Sequence, residues 1–214
     1  MVIPTIHFRS EYSSIPLRIA KGHFATNHSH TNYYIDMTYT KHRLAEARQA
    51  AKELALKYQN ATFVDTVLCL DGTEVLGTCL ADELIAMGTR TKNEHDTIYI
   101  VTPESTASGQ QIFRENIAHL IRNRHVLVLA ASVSTGETVR DAIQAVQYYG
   151  GVPVGVCAIF SCLGECAGFP VLSIFHSSYL DNYQWLPSNQ CPLCKEGVKL
   201  DGLVNSYGIS SFYT

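Results

Sequence analysis

No apolar run in this sequence reaches the roughly 18 residues that a membrane span needs, and the first residues lack the cationic and apolar stretches of a secretory signal. A membrane partner is therefore not expected, and a cytoplasmic location is. Basic charge is also scarce. The 16 Lys and Arg are outnumbered by 19 Asp and Glu, for a net charge of −3. Such a chain has no field for gathering a polyanion, which argues against nucleic acid as a general partner. Internal repeats and low-complexity linkers are missing too. With 214 residues and 46% apolar content, one core suffices, and a single domain over residues 1–214 is expected. Cysteine is plentiful by comparison. Seven of them, an odd number in a chain this long, fit reduced thiols or a metal site better than a disulfide framework.

Hydrophobic periodicity gives alternating elements. Lys41 to Tyr58 places Leu44, Ala47, Ala51, Leu54 and Ala55 at helical spacing with no Gly or Pro. Strands are expected over Phe63–Leu70, Thr97–Val101, His125–Ala130, Val152–Phe160 and Val171–Phe175, with helices over Glu74–Met87, Gln110–Ile121 and Gly136–Tyr149. Four βα steps with nearly continuous apolar strands imply a parallel sheet covered on both faces. In open sheets of this kind the ligand sits beyond the carboxyl ends of the strands.

The segment Val126-Leu127-Val128-Leu129-Ala130-Ala131-Ser132-Val133-Ser134-Thr135-Gly136-Glu137-Thr138-Val139 lies at such an end. A strand turning sharply into a helix leaves the helix's first N–H groups unpaired, where the peptide dipoles favour an anion. Ser134, Thr135 and Thr138 add hydroxyl donors, and Gly136 lets the backbone approach a phosphate oxygen. The candidate phosphate-binding set is Ser134, Thr135, Gly136, Glu137 and Thr138. The same residues also suit an ordinary helix start capped by Ser134 or Thr135.

This segment resembles the ribose-phosphate loop of type I phosphoribosyltransferases. Further likeness lies in Gly22-His23-Phe24 followed by Ser29-His30-Thr31-Asn32-Tyr33-Tyr34-Ile35-Asp36, and in Cys191-Pro192-Leu193-Cys194-Lys195-Glu196-Gly197. These are similar to the N-terminal segment of orotate phosphoribosyltransferases and to the tail of some longer members. The resemblance implies an open parallel α/β sheet with helices on both faces, a small N-terminal hood over residues 1–40 and a C-terminal tail over residues 177–214. It also implies a homodimer. Family enzymes transfer ribose 5-phosphate from phosphoribosyl pyrophosphate to a pyrimidine, with Mg²⁺ on the pyrophosphate.

The chain departs from that pattern at three places. Ala130 and Ala131 stand where the family carries the acid pair that holds the ribose hydroxyls, leaving no catalytic residue to carry over. The loop that lies over the pyrophosphate in the family is rich in Lys and contains His-Gly, whereas Thr102–Gln110 has no Lys, Arg or His and includes Glu104. The glycine-rich pyrophosphate loop is represented by Leu70-Asp71-Gly72-Thr73-Glu74, whose two acids would repel an anion. Each lost charge-assisted contact is commonly worth about 1.5–3 kcal/mol, so three losses together are hard to compensate.

Cysteine spacing supplies a separate candidate. Cys162 and Cys166 are followed, after 24 residues, by Cys191-x-x-Cys194, which matches the arithmetic of a four-thiolate zinc site clipping the tail to the sheet. The competing reading makes Cys162 and Cys166 small core residues and leaves the last pair without a ligand. His23, His28 and His30 cluster near the N-terminus, and His28 with His30 suggests a weaker metal pair. In orotate enzymes this region helps to cover the base. Asn32, Tyr33 and Tyr34, with Ala130 and Ala131, form the candidate base and ribose region, offering amide hydrogen bonds and a stacking face.

Three functional readings follow. The first is a protein that binds a nucleotide or ribose 5-phosphate through the retained loop, as a sensor or regulator, with transfer chemistry lost. The second is an active phosphoribosyltransferase of pyrimidine metabolism with an atypical site, which would need Mg²⁺. The third is a zinc-stabilised structural or interaction protein.

Overall fold

Apolar strands without alternation need cover on both faces, and the computed structural model shows that cover. It describes residues 5–9, 13–27, 29–58, 63–106 and 109–212. In chain order the elements are β1 (Ile6–Phe8), β2 (Leu17–Ala25), β3 (His30–Asp36), α1 (Thr38–His42), α2 (Leu44–Lys57), β4 (Thr66–Cys69) and α3 (Glu74–Ala86). Next come β5 (Tyr99–Val101), β6 (Glu104–Ser105), β7 (Gln111–Ile112), α4 (Glu115–Ala118), β8 (His125–Val133), α5 (Glu137–Tyr148) and β9 (Val152–Ser161). The last are β10 (Glu165–Cys166), β11 (Phe169–His176), β12 (Trp185–Leu186), α6 (Pro192–Lys195), β13 (Gly202–Asn205) and β14 (Gly208–Ser211).

The main sheet runs β10-β11-β9-β8-β4-β5, parallel throughout except for β10 on the edge. Strand β8 sits at its centre, and its alternate residues feed two cores. Leu127 and Leu129 meet Ala51 and Leu54 of α2 and Leu76 and Leu80 of α3. Val126, Val128 and Ala130 meet Ala118 of α4 and Val139, Ala142 and Val146 of α5. All five strand residues are at most 1% exposed. The expected parallel α/β fold is present.

The hood is built differently from the expectation of an N-terminal segment alone. Strands β2 and β3 form an antiparallel pair, and the second sheet continues on either side with chain from beyond residue 180, in the order β12-β3-β2-β13-β14. Arg18 fixes this layer to α2 through a two-pronged ion pair with Glu46, both contacts 2.8 Å.

Two helices depart from their expected bounds. The helix expected from Lys41 to Tyr58 breaks at Arg43, whose backbone is extended (φ −89°, ψ 111°). The break frees α1 to bury Lys41, whose ammonium donates to the carbonyls of Asp71 at 2.9 Å and Ser206 at 2.7 Å. The helix expected over Gln110–Ile121 shrinks to Glu115–Ala118, because Gln111 and Ile112 pair with Ser105 and Glu104 in a small hairpin. Arg114 closes that hairpin on Glu104 with contacts of 2.7 and 2.6 Å.

A buried carboxylate ties three sheet connections together. Asp65, 0% exposed, accepts from the backbone N–H groups of Lys92 and His125, from the His125 ring and from Thr91 Oγ1. Desolvation pushes the Asp65 pKa up, but these hydrogen bonds outweigh it and hold the carboxyl below the usual value. The folded pKa is thus the lower one. The stabilisation is fully present above the unfolded value of about 3.9 and is lost as pH falls through the folded value. Asp65→Ala, which leaves buried donors unpaired, should cost roughly 3 kcal/mol at pH 7. Thermal melts of both proteins between pH 7 and pH 3 check this: the gap should narrow towards acid.

Candidate functional site

A cleft of about 320 Å³ opens between the hood and the carboxyl ends of the parallel strands. Its floor is the β8-to-α5 turn, Ala131 to Val139. Its walls include Tyr33, Tyr34, Trp185 and Asn205 of the hood sheet, Ser206 next to it and Asp71 after β4. Every residue of the candidate phosphate set, Ser134, Thr135, Gly136, Glu137 and Thr138, lines it.

Gly136 decides the shape of the turn. It lies in the left-handed region (φ 78°, ψ 5°) immediately before α5, where a Cβ is disfavoured. A Cβ here would also come within 2.7 Å of Cys166 Sγ and 3.1 Å of Leu163. Helix α5 has no side-chain cap. Among the described residues, one side-chain contact reaches its first amides, Thr135 Oγ1 at 3.4 Å from the Glu137 nitrogen. The capping alternative is therefore not the geometry found, and the helix start faces the cleft.

The base and ribose candidates divide. Tyr33, Tyr34 and Ala131 line the cleft; Asn32 and Ala130 do not. Asn32 is spent on the chain's own backbone, donating to the Asn182 carbonyl at 2.7 Å and accepting from the Gln184 N–H at 2.7 Å. Ala130 is 1% exposed within the sheet, because β8 runs three residues beyond its expected end, to Val133. Tyr33 stacks on Tyr183 with centroids 5.9 Å apart and donates to the Asp181 carbonyl at 2.9 Å. Its ring is pre-set as a wall of the cleft.

The acids are less free than their sequence suggests. Asp71 stands in the left-handed region (φ 57°) and lines the cleft. Burial raises its carboxyl pKa, against the pull of Lys41 and of a hydrogen bond from the Ala131 backbone N–H. Glu104 is held by Arg114, four residues beyond the Thr102–Gln110 loop, and Glu74 accepts from Thr102 Oγ1 at 3.0 Å. The lining still has no Lys, Arg or His among the described residues, while Asp71 and Glu137 are both in it.

The cysteines regroup. Cys191 and Cys194 converge with His23 and His30, all four donor atoms lying within 4.8 Å of one another. Cys162 and Cys166 are not part of that group. Cys166 packs beneath the turn with its thiol 3.4 Å from the Gly136 carbonyl, and Cys162 is hydrogen-bonded near Tyr183 and Ser177. Desolvation raises the pKa of both thiols, as expected for core cysteines. The four-thiolate set is corrected to two thiols and two imidazoles, and the competing core reading holds for Cys162 and Cys166. His28 lies outside the described residues. Spacing along the chain could not reveal His23 and His30 as partners of the tail, since that depends on the β2–β3 pairing. Lys41, Trp185 and Asn205 were likewise missed, and Asp71 was named only as an acid that would repel an anion, because their positions depend on contacts distant in sequence.

Comparison with known proteins gives a consistent picture. No family model matches the chain. Orotate phosphoribosyltransferase of Thermus thermophilus is 45% identical over 69 residues, 32% of this chain and 37% of that protein. The aligned region thus spans little more than a third of that relative. The orotate phosphoribosyltransferase of Thermoanaerobacter sp. (strain X514) is 28% identical over 185 residues, 85% of this chain and 88% of its own length. Among solved structures, the Mycobacterium tuberculosis orotate phosphoribosyltransferase in complex with Fe(III) dicitrate has a TM-score of 0.52 at 17% identity, covering 77% of this chain and 93% of that one. Leishmania donovani UMP synthase scores 0.55 at 18% identity, covering 75% of this chain and 34% of that one.

Gly136→Ala should destabilise the protein by roughly 2 kcal/mol through the left-handed backbone and the clash with Cys166. Adding Cys166→Ala should recover part of the loss, the steric part. Denaturant melts of the single and double variants measure both.

Proposed function

We propose that this chain, similar to orotate phosphoribosyltransferases over most of its length, is a type I phosphoribosyltransferase relative that binds a nucleotide or ribose 5-phosphate without transferring the ribose. The observation that carries the reading is a contrast inside one cleft. An uncapped helix start with left-handed Gly136 offers donors to a phosphate, while the lining carries the acids Asp71 and Glu137 and no cation among the described residues.

Transfer would leave negative charge on a departing pyrophosphate, and that charge must meet donors already in place. Asp71 and Glu137 have the wrong sign for it. A phosphate monoester makes a smaller demand, because the α5 amides and the hydroxyls of Ser134, Thr135 and Thr138 can hold it. Tyr34 and Trp185 then flank the space left for a base. No described helix is long and apolar enough to cross a membrane, and small anionic ligands remain the partner class that this cleft fits.

A second reading, an active transferase with an altered site, is favoured by Asp71. Its carboxyl accepts from the Ala131 N–H, so one acid stands beside the position where the family pair belongs. Mg²⁺ would be required on that reading.

Calorimetric titration with uridine monophosphate, ribose 5-phosphate and phosphoribosyl pyrophosphate, beside a turnover assay with Mg²⁺ and orotate, separates the two. The proposal expects binding without turnover, each missing donor costing about 10²- to 10³-fold in rate. Ordinary enzymatic rates would replace it with the second reading, and silence towards all three ligands would remove both. Thr138→Glu, which sets a carboxylate beside the bound phosphate, should weaken binding at least about tenfold with the fold intact.

A further inference from the structure

We infer that His23, His30, Cys191 and Cys194 form a closed structural zinc site that fixes the C-terminal hairpin as a wall of the cleft. Zinc bound tetrahedrally at about 2.0 Å from nitrogen and 2.3 Å from sulfur requires ligand separations of about 3.3 Å for N to N, 3.5 Å for N to S and 3.8 Å for S to S. The four separations in the structure follow those edges. His23 Nε2 to His30 Nδ1 is 3.0 Å, Cys191 Sγ to His23 Nε2 is 3.4 Å, Cys194 Sγ to His23 Nε2 is 3.6 Å and Cys194 Sγ to His30 Nδ1 is 3.2 Å.

The imidazole of His23 is oriented for this. Its Nδ1 lies 2.8 Å from the Val198 carbonyl, so the Nδ1–H is donated there and the Nε2 lone pair faces the other three groups. A second ring nitrogen held by a backbone carbonyl is the usual support of a metal-bound histidine. His23 is 1% exposed and Cys191 4%. Two thiolates cancel the charge of one divalent cation, and an N₂S₂ tetrahedron suits zinc. Four protein ligands leave no open position, so the site is structural and not catalytic.

The chain around the cluster shows what the ion holds. His23 N–H donates to Asp201 Oδ2 and the Asp201 N–H donates to the His23 carbonyl, each at 2.7 Å. From Asp201 the chain enters β13, which pairs with β2, and then the turn that places Asn205 and Ser206 in the cleft. Ser206 accepts from Lys41 there. The metal thus braces a ligand-facing wall without touching the ligand, a consequence that rests on the cleft reading above; the metal site itself does not.

Metal analysis of the reduced, purified protein should find one zinc per chain, with X-ray absorption giving about two sulfur neighbours near 2.3 Å and two nitrogen neighbours near 2.0 Å. Cobalt substitution should give the visible spectrum of a tetrahedral thiolate site. Cys194→Ser, at an exposed ligand, should weaken zinc binding at least about 100-fold, more than a supporting-residue change would, while Cys162→Ser leaves the zinc content unchanged. Loss of zinc should lower nucleotide affinity at least about threefold in any protein preparation that binds nucleotide. Protein that folds without zinc and gives no cobalt spectrum, or that loses zinc on Cys162→Ser but not on Cys194→Ser, overturns the site whatever the cleft binds.

Discussion

Strand β8 crosses the middle of the sheet with a parallel neighbour on each side, and that double pairing fixes where Gly136 must stand. From Thr66 to Cys69 the strand β4 holds one edge of β8, and from Val152 to Ser161 the strand β9 holds the other as far as Val133. A strand buried on both faces cannot slip by one residue without exchanging its two apolar cores. The turn that follows is therefore delivered to one place, and Gly136 in its left-handed conformation aims the first amides of α5 into the cleft. Cys166 and Leu163 fill the space that a side chain on Gly136 would need, so the same contact holds β10 under the loop.

The rest of the cleft is assembled from distant parts of the chain. The hood supplies Tyr33 and Tyr34, the turn after β4 supplies Asp71, and the tail supplies Asn205 and Ser206. Lys41 joins the last two, its buried ammonium bonded to the carbonyls of both Asp71 and Ser206. Burial lowers the Lys41 pKa, opposed by the nearby acids Asp71, Glu74 and Asp36. Its charge is spent inside the protein and is not offered to a ligand. That use of a cation explains how acids stand in the cleft beside a buried ammonium.

What could be read from the sequence follows from how local the information is. The parallel sheet was legible because βα alternation and unbroken apolar runs are set by neighbours along the chain. So was the β8-to-α5 turn, where hydroxyls and a glycine sit within five positions. The split helix at Arg43 was not legible, because its cause is a contact between Lys41 and carbonyls 30 and 165 residues away. The same holds for the metal ligands. Thiols with 24 residues between them looked like partners on spacing, yet Cys166 is drawn under Gly136, and the tail pair finds its imidazoles on β2 and β3, with contacts spanning as many as 171 residues. Asn32 shows the converse error: an amide suited to a base is consumed by the backbone at Asn182 and Gln184.

On the proposed reading, the start of α5 is a phosphate site in a cleft without transfer chemistry. Amide chemical shifts recorded by nuclear magnetic resonance during titration with ribose 5-phosphate test it most directly, because they report the N–H groups themselves. The largest shifts should fall on residues 135–139, with smaller ones at Asp71 and Asn205 and none at Cys194. Shifts confined to some other surface, or an unmoved α5 start at saturating ligand, would contradict it.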